Sequence, residues 1–243
     1  MLRNFRQKLD ASGIYVRRSR NFEGLDPYLD LTKLLRPGAG DVAIDVGSNC
    51  GQTVAAIKRV FPDLPIQGFE PVQASLDTAR KNCSAWSDVA LHHLAVGGAP
   101  ATVTIYSEGT SQLASLRDTA PRVGQTANTV NVVRLDEFLN TPSGGSVVLL
   151  KSDTEGFDLD VLRGSEGLFR ERRVMSVLCE VGFSSHDASH SFFPPILSLL
   201  EAQGFVLAAL YDQPGFWHLR DWGSTFANAL FVRRDLVSAP RSR

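Results

Sequence analysis

The most informative stretch of the chain reads Asp41-Val42-Ala43-Ile44-Asp45-Val46-Gly47-Ser48-Asn49-Cys50-Gly51-Gln52-Thr53. Its first half is an apolar run typical of a short buried strand, and its second half is a tight glycine turn. A helix from Thr53 to Phe61 is predicted directly after the turn. A strand, a glycine turn and a helix in this order let a ligand approach bare backbone at the positive end of the helix.

A second predicted strand ends in a carboxylate about 20 residues beyond the turn, where ribose-binding acids stand in nucleotide folds. It reads Ile66-Gln67-Gly68-Phe69-Glu70-Pro71. The turn and Glu70 together predict a nucleoside-binding βαβ unit, because the carboxylate can accept two hydrogen bonds from a ribose diol. The alternative is a purely structural turn in another kind of α/β protein.

The spacing of the turn indicates which nucleoside it suits. A dinucleotide fold has G-x-G-x-x-G, whose middle glycine lets the pyrophosphate touch the backbone. Here three residues separate Gly47 from Gly51, Asn49 stands at the middle position, and no Lys-Ser/Thr pair makes a P-loop. The turn therefore favours a nucleoside without a diphosphate.

The composition is that of an ordinary globular enzyme, with 243 residues, 43% apolar and 21% charged. The net charge of −1 gives no reason to expect nucleic acid as a partner. No apolar run approaches the roughly 18 residues of a membrane span, and no signal peptide is evident. Cys50, Cys83 and Cys179 suit neither a disulfide framework nor a metal site, so we expect a cytoplasmic protein.

Three segments are expected along the chain. Residues 1–40 form an N-terminal helical segment, in which residues 1–20 carry six bases and one acid, Asp10. That segment is interpreted as a solvated helix face, an arm of a homodimer, or a lid over the site. Residues 41–235 form the main domain and residues 236–243 a tail. The polar stretch Ser107–Asn128 is predicted to be a functional loop that covers the site together with the basic N-terminus.

Strand-like and helix-like patterns alternate, which predicts an α/β fold with a mostly parallel sheet of seven strands and helices on both faces. The further predicted strands are Val89–Val96, Ala101–Tyr106, Thr129–Val133, Val147–Lys151, Val174–Val181, Phe205–Tyr211 and Phe226–Arg233. The further predicted helices are Asp26–Arg36, Gln73–Cys83, Leu159–Phe169 and Pro194–Gln203. No helical pattern lies between the last two strands, so we expect that pair to be antiparallel.

Polar residues follow two of the later strands, at the edge where α/β sheets bind ligands. Asp153 and Glu155 stand between the strand Val147–Lys151 and Gly156, and Glu180 ends the next strand. The alternative for Asp153 and Glu155 is the decoration of a helix N-terminus, which explains Asp158 better than Asp153. Glu180, in an otherwise apolar run, either caps local structure or faces the cleft. His186 lies on the loop after Glu180 and is interpreted as a substrate contact or base, whereas His92, His93 and His218 are assigned to structure.

The chain resembles the FkbM family of S-adenosylmethionine-dependent methyltransferases, over about residues 40 to 182. The motifs that carry the resemblance are Asp45-Val46-Gly47-Ser48-Asn49-Cys50-Gly51, Phe69-Glu70-Pro71, Leu94-Ala95-Val96-Gly97, Val133-Arg134-Leu135-Asp136-Glu137-Phe138, Lys151-Ser152-Asp153-Thr154-Glu155-Gly156-Phe157-Asp158-Leu159-Asp160-Val161-Leu162-Arg163-Gly164 and Leu178-Cys179-Glu180. The resemblance implies a Rossmann-like class I methyltransferase fold and methyl transfer to a hydroxyl of a sugar, glycolipid or secondary metabolite. The acceptor is thus a small molecule or glycan.

The resemblance also implies roles in binding S-adenosylmethionine. Gly47, Ser48, Asn49 and Gly51 would shape the turn under the methionine part, and Asp45 would receive its amino group. Glu70 would hold the ribose with Pro71 and Val72 beside it, Ala95 and Val96 would lie by the adenine, and Asp153 would lie near the sulfonium. The proton of the acceptor would go to Asp153, Glu155, Glu180 or His186.

Three alternatives stay open. One is an NAD-dependent oxidoreductase, which shares the βαβ unit, and another is a non-catalytic nucleoside-binding module. The third concerns metal: no cluster has convincing ligand spacing, so no metal site is assigned, although magnesium on Asp153 and Asp136 would be an alternative arrangement.

Overall fold

The computed structural model describes residues 24–107, 126–139, 145–187, 189–212 and 226–238. The basic residues 1–20, His218 and residues 108–125 of the predicted cover lie outside this part. At the margins of that cover, Ser107 ends one strand and residues 126–128 begin another, so the predicted loop is too long at both ends. No helix among the described residues is long and apolar enough to cross a membrane.

Within the described ranges, seven strands form the main sheet: β1 Val42–Val46, β2 Ile66–Phe69, β3 Val89–His92, β7 Val147–Ser152, β8 Ser176–Gly182, β9 Phe205–Tyr211 and β10 Phe226–Arg233. Their order across the sheet is β3-β2-β1-β7-β8-β10-β9. Neighbours from β3 to β8 pair in parallel, whereas β10 is antiparallel to both β8 and β9. This confirms the predicted sheet and its antiparallel last strand.

Helices cover both faces of this sheet, as predicted. Buried residues of α1 and α2 form one apolar cluster with the sheet, and those of α5, α6 and α7 form another on the opposite face. The helices are α1 Pro27–Leu34, α2 Gln52–Val60, α3 Gln73–Asn82, α4 Leu135–Phe138, α5 Asp158–Arg163, α6 Glu166–Arg170, α7 Phe193–Ala202 and α8 Arg234–Ser238. Asp26 caps the N-terminus of helix α1: its carboxylate accepts the N–H groups of Tyr28 and Leu29. The helix buries Leu31 against the sheet.

The structure corrects two predicted elements. The predicted strand Val89–Val96 is broken after His92, because the chain leaves the main sheet there and Ala95 and Val96 (β4) pair with a different strand. The predicted helix Leu159–Phe169 is two helices, since Gly164 ends α5 and its carbonyl accepts the N–H of Asp136.

A small second sheet, in the order β4-β6-β5, was not predicted as a unit. Strands β5 (Ala101–Ser107) and β6 (Thr126–Val133) form an antiparallel pair, and β4 runs parallel to β6. Its core consists of Val72, Ala95, Ile105, Val130 and Val132. This sheet fixes Ala95 and Val96 at the rim of the functional site described next.

Candidate active site

A cavity of about 340 Å³ opens at the carboxyl ends of β1, β2, β7 and β8. The order of strands reverses between β1 and β7, which is where open α/β sheets bind ligands. The predicted site residues that line it are Gly47, Ser48, Asn49, Glu70, Pro71, Val72, Ala95, Val96, Asp153, Glu155 and Glu180. The sequence interpretation missed Val46, Gln52, Thr53, Phe69, Ser75, Leu94 and Thr154.

The glycine turn is tied to the end of β2. The N–H groups of Gly47 and Ser48 both donate to the carbonyl of Phe69, at 2.9 and 3.0 Å. Asn49 has a φ of 44° and Gly51 a φ of 88°, and α2 begins at the next residue. Gly51 does not itself line the cavity and serves to start the helix.

The carboxylate of Glu70 connects the glycine turn to the segment that follows β2. Its Oε2 accepts the N–H of Asn49 at 2.8 Å and its Oε1 accepts the N–H of Val72 at 2.7 Å. Burial raises the pKa of this carboxyl, against the lowering effect of the two N–H groups. Each carboxylate oxygen has a further lone pair, so Glu70 can also accept the hydroxyls of a ribose.

Asp45 is fully buried beneath the turn and does not line the cavity. In register it stands beside Lys151 of β7, yet neither of its carboxylate oxygens has a hydrogen-bond partner among the described residues. Burial raises its pKa to about 7, with Lys151 opposing. An orphaned buried carboxylate is costly. An ammonium group in the cavity, reached through a water beneath the turn, would satisfy it, and S-adenosylmethionine carries such a group.

Lys151 and Asp153 form an ion pair of 3.2 Å next to the cavity. The ammonium group of Lys151 also lies 3.4 Å from Asn228 Oδ1. Burial alone would lower the pKa of Lys151, but the charges of Asp153, Tyr28 and Asp158 outweigh burial and raise it. A second cavity of about 350 Å³, under α1, shares Thr53 and Asp153 with the first, so Asp153 stands where the two spaces meet.

Glu155 and Glu180 border the cavity on the β7 and β8 side. Burial, followed by the charge of Asp153, raises the pKa of each to about 7. Glu155 has a φ of 51°, a conformation that non-glycine residues seldom adopt and that is often found at functional sites. Both carboxyls are therefore suited to exchange a proton near neutral pH.

Asp158 has a structural role at the N-terminus of a helix, as the alternative in the sequence analysis proposed. It is buried at the start of α5 and accepts the hydroxyls of Ser152 and Ser191, at 2.6 and 3.1 Å.

Two of the described histidines make structural contacts, and two others lie on the loop after β8. His92 contacts Gln67 at 2.7 Å and His93 contacts the carbonyl of Pro71 at 3.0 Å, as structural side chains do. His186 is exposed and does not line the cavity; its N–H donates to Ser184 Oγ. His190, to which the sequence interpretation gave no role, lies 3.5 Å from Glu180.

No group of three or more His, Cys, Asp or Glu side chains that could hold a metal ion occurs in the described ranges. Asp136 does not line the cavity, and its carboxylate accepts hydrogen bonds from Arg134 and from the N–H of Gly167. The structure therefore does not bring Asp136 and Asp153 together around this cavity.

Comparisons with known proteins agree with this geometry. Residues 45–207 match the model of the methyltransferase FkbM domain. The chain is 31% identical to Methyltransferase 1 of Beauveria bassiana (strain ARSEF 2860) over 185 residues, which cover 68% of this chain and 72% of that protein. The crystal structure of methyltransferase FkbM from Methylobacillus flagellatus KT is 16% identical with a TM-score of 0.50; the match covers 86% of this chain and 48% of that chain.

The crystal structure supports the fold alone, and the present chain spans about half of its length. The family match and the fungal relative decide the family, because each covers about two thirds of this chain. They also decide against the two other interpretations of the chain, an NAD-dependent oxidoreductase and a non-catalytic nucleoside-binding module. The chain belongs to the FkbM family of S-adenosylmethionine-dependent methyltransferases.

Proposed function

We propose that this methyltransferase transfers its methyl group to the hydroxyl oxygen of a small-molecule or glycan acceptor. The observation that carries the proposal is the set of three carboxyl groups, Asp153, Glu155 and Glu180, on one side of the cavity. A hydroxyl loses its proton when it is methylated and so needs a nearby base. Glu155 and Glu180, with pKa values of about 7, meet that need.

The cavity is proposed to bind S-adenosylmethionine from one end to the other. Gly47, Ser48 and Asn49 lie under the methionine part, and Asp45, which does not itself line the cavity, receives its ammonium group through water. Glu70 accepts the ribose hydroxyls with Pro71 and Val72 beside it, while Ala95 and Val96 contact the adenine. The bound cofactor supplies a methyl group on a cationic sulfonium, a strong donor that needs mainly alignment with the acceptor.

Asp153 is proposed to lie beside the sulfonium. It borders both cavities and is held by Lys151, so it fits the place where donor and acceptor meet. A carboxylate there also favours a cationic donor before the reaction. Its charge alone therefore does not identify the base, and Glu155 and Glu180 are the stronger candidates for that role.

The charge of the site favours an uncharged acceptor. Four carboxyl groups, Glu70, Asp153, Glu155 and Glu180, border the first cavity, whereas its lining contains no lysine or arginine among the described residues. A phosphate-bearing acceptor would meet repulsion from these acids once they are ionised. A neutral hydroxyl of a sugar, a glycoside or a secondary metabolite suits the site better.

The test is a methyl-transfer assay with a panel of hydroxylated sugars, glycosides and phenols, and with matched amines and thiols. S-adenosylmethionine with a ¹³C-labelled methyl group identifies the methylated atom in each product by NMR. We expect a methyl ether from at least one neutral hydroxyl compound. Methylation confined to nitrogen or sulfur acceptors would contradict the proposal.

A further inference from the structure

His190 connects the wall of the cavity to the loop that follows β8. Its Nδ1 lies 2.7 Å from Asp187 Oδ2, and its Nε2 lies 3.5 Å from Glu180 Oε2. The three side chains are between 6% and 15% exposed. Glu180 lines the cavity, whereas His190 and Asp187 stand behind it. A carboxyl, an imidazole and a second carboxyl are therefore aligned from the cavity into the loop.

The imidazole is fixed in place by its surroundings. Its ring stacks on Phe226, with centroids 4.6 Å apart and an angle of 11° between the planes. Asp187 is held by the N–H groups of Ser189 and His190, at 2.9 and 3.2 Å. A Cβ on Gly182 would lie 3.0 Å from Asp187 Oδ2 and 3.1 Å from His190 Cβ, which is a tight contact. Glycine at the end of β8 therefore lets Asp187 and His190 pack closely against the strand.

Charged and polar groups from several elements surround Glu180. His190 comes from the loop after β8, Asn228 stands opposite Glu180 on β10, and Lys151, Asp153 and Asp158 come from β7 and the turn after it. Glu155, on the same turn, also faces His190. Burial and Asp153 raise the pKa of Glu180 to about 7, and the charges of His190 and Lys151 act in the opposite direction.

We propose that Glu180, His190 and Asp187 form a proton relay, in which Glu180 takes the proton of the acceptor hydroxyl and His190 carries it away from the cavity. This inference rests on the proposed transfer to oxygen. Glu180 is the catalytic residue, because it borders the space where the acceptor binds. His190 and Asp187 are positioning residues, because they act through Glu180.

The proton balance is complete within these three residues and solvent. As the acceptor O–H bond breaks, the new O–C bond forms and the C–S bond of the donor breaks, which leaves the proton on Glu180. Nε2 of His190 then accepts it, since Asp187 keeps the proton on Nδ1, and the imidazolium lies between two carboxylates. Solvent receives the proton from the loop. The relay requires the 3.5 Å between His190 Nε2 and Glu180 Oε2 to shorten when substrates bind, as catalytic hydrogen bonds commonly do.

The first test needs no acceptor. Carboxyl ¹³C NMR of glutamate-labelled enzyme, saturated with S-adenosylhomocysteine, follows the titration of Glu180, whose signal is identified by its loss in Glu180→Gln. We expect Glu180 to titrate near pH 7 and to titrate at higher pH in His190→Gln, because glutamine cannot take the proton from Glu180 as the imidazole does. The control is His186→Gln, an exposed histidine of the same loop, which should leave the titration of Glu180 unchanged. An ordinary titration near pH 4.3, or one unchanged by His190→Gln, overturns the relay.

The second test uses the hydroxyl acceptor found in the product assay. Glu180→Gln should lower kcat by about 10²–10⁴-fold. His190→Gln should lower kcat roughly tenfold and move the acid limb of its pH profile upward, while the Kd for S-adenosylhomocysteine stays constant. Asp187→Asn should also lower kcat and move the acid limb upward. It takes the place of His190→Gln in this test if His190→Gln has a lowered melting temperature.

The two proposals fail in different ways. If both His190→Gln and Asp187→Asn keep the wild-type kcat and the wild-type acid limb of the pH profile, the relay is overturned but the proposed function is not. An enzyme that methylates only nitrogen or sulfur overturns the proposed function and, with it, the relay.

Discussion

Gly47 and Asp153 touch through their backbones: a Cβ built on Gly47 would lie 1.9 Å from the carbonyl oxygen of Asp153. The N–H of Asp153 also donates to the carbonyl of Val46 at 3.0 Å. The nucleoside turn after β1 and the acidic segment after β7 are therefore packed together without intervening side chains. This contact fixes Asp153 at the cavity.

The first prediction is that Gly47→Ala abolishes the binding of S-adenosylhomocysteine. The new Cβ would displace the backbone at Asp153, and alanine is also strained at a φ of 82°. Gly204→Ala is the matched control, because Gly204 has a φ of 85° but no atom within 4 Å of the built Cβ. That control should lose about 1–2 kcal/mol of stability and keep full binding, as measured by calorimetry. Equal binding by both variants would contradict the packing described here.

The second prediction concerns Asp45 and pH. Its pKa in the folded protein is about 7, above its value of about 3.9 in an unfolded chain. Between these two pH values the folded state thus binds more protons than the unfolded state. The contribution of Asp45 to the free energy of unfolding is therefore complete below about pH 4 and is lost as the pH rises through 7. Asp45→Asn should flatten the decline of the melting temperature from pH 5 to pH 8.

At pH 8 and without cofactor, Asp45→Asn should therefore melt at a higher temperature than the wild type. The same variant should bind S-adenosylhomocysteine more weakly, because the ammonium group of the ligand loses its carboxylate partner. Thermal scans with and without S-adenosylhomocysteine measure both effects. A variant that is less stable at pH 8 and binds normally would assign Asp45 to structure.

The third prediction is that Asp153 matters more to turnover than to folding. Asp153→Asn keeps the shape of the side chain and removes its charge, so kcat should fall by about 10²–10⁴-fold. The melting temperature should fall only modestly, because the side chain is 40% exposed and the asparagine Oδ1 can still accept a hydrogen bond from the buried Lys151. Asp160→Asn is the control: that side chain is 43% exposed and pairs with Arg163. Normal turnover by Asp153→Asn, or loss of turnover through unfolding, would show a structural role.

Much of the fold was predictable because its signals are local. The glycine turn after Val46, the acid at the end of β2 and the missing helix before β10 each depend on neighbouring residues in sequence. They were enough to predict the sheet, its antiparallel strand and the position of the cavity. The errors came where distant contacts decide, as at His92, where the chain turns from the main sheet to pair with β6.

The role of His190 could not be read from the sequence for the same reason. His186 and His190 stand on one polar loop and are alike in sequence context. The difference arises because the loop folds back, so that the N–H of Gly182 donates to the carbonyl of Ser191 and His190 stacks on Phe226 of β10. One local signal was present: Asp187 precedes His190 by three residues, a spacing that lets a turn bring them together.

The central claim is that the cavity beside Glu70 binds the nucleoside of S-adenosylmethionine. Calorimetric titration of the wild type, Glu70→Ala and the control Glu137→Ala with S-adenosylhomocysteine and with NAD tests it most directly. Glu137 carries a 64% exposed side chain outside the cavity lining. We predict that Glu70→Ala weakens binding of S-adenosylhomocysteine by about 1–3 kcal/mol, that Glu137→Ala has no effect and that NAD does not bind. Unchanged affinity in a folded Glu70→Ala variant, or tight binding of NAD, would contradict the account.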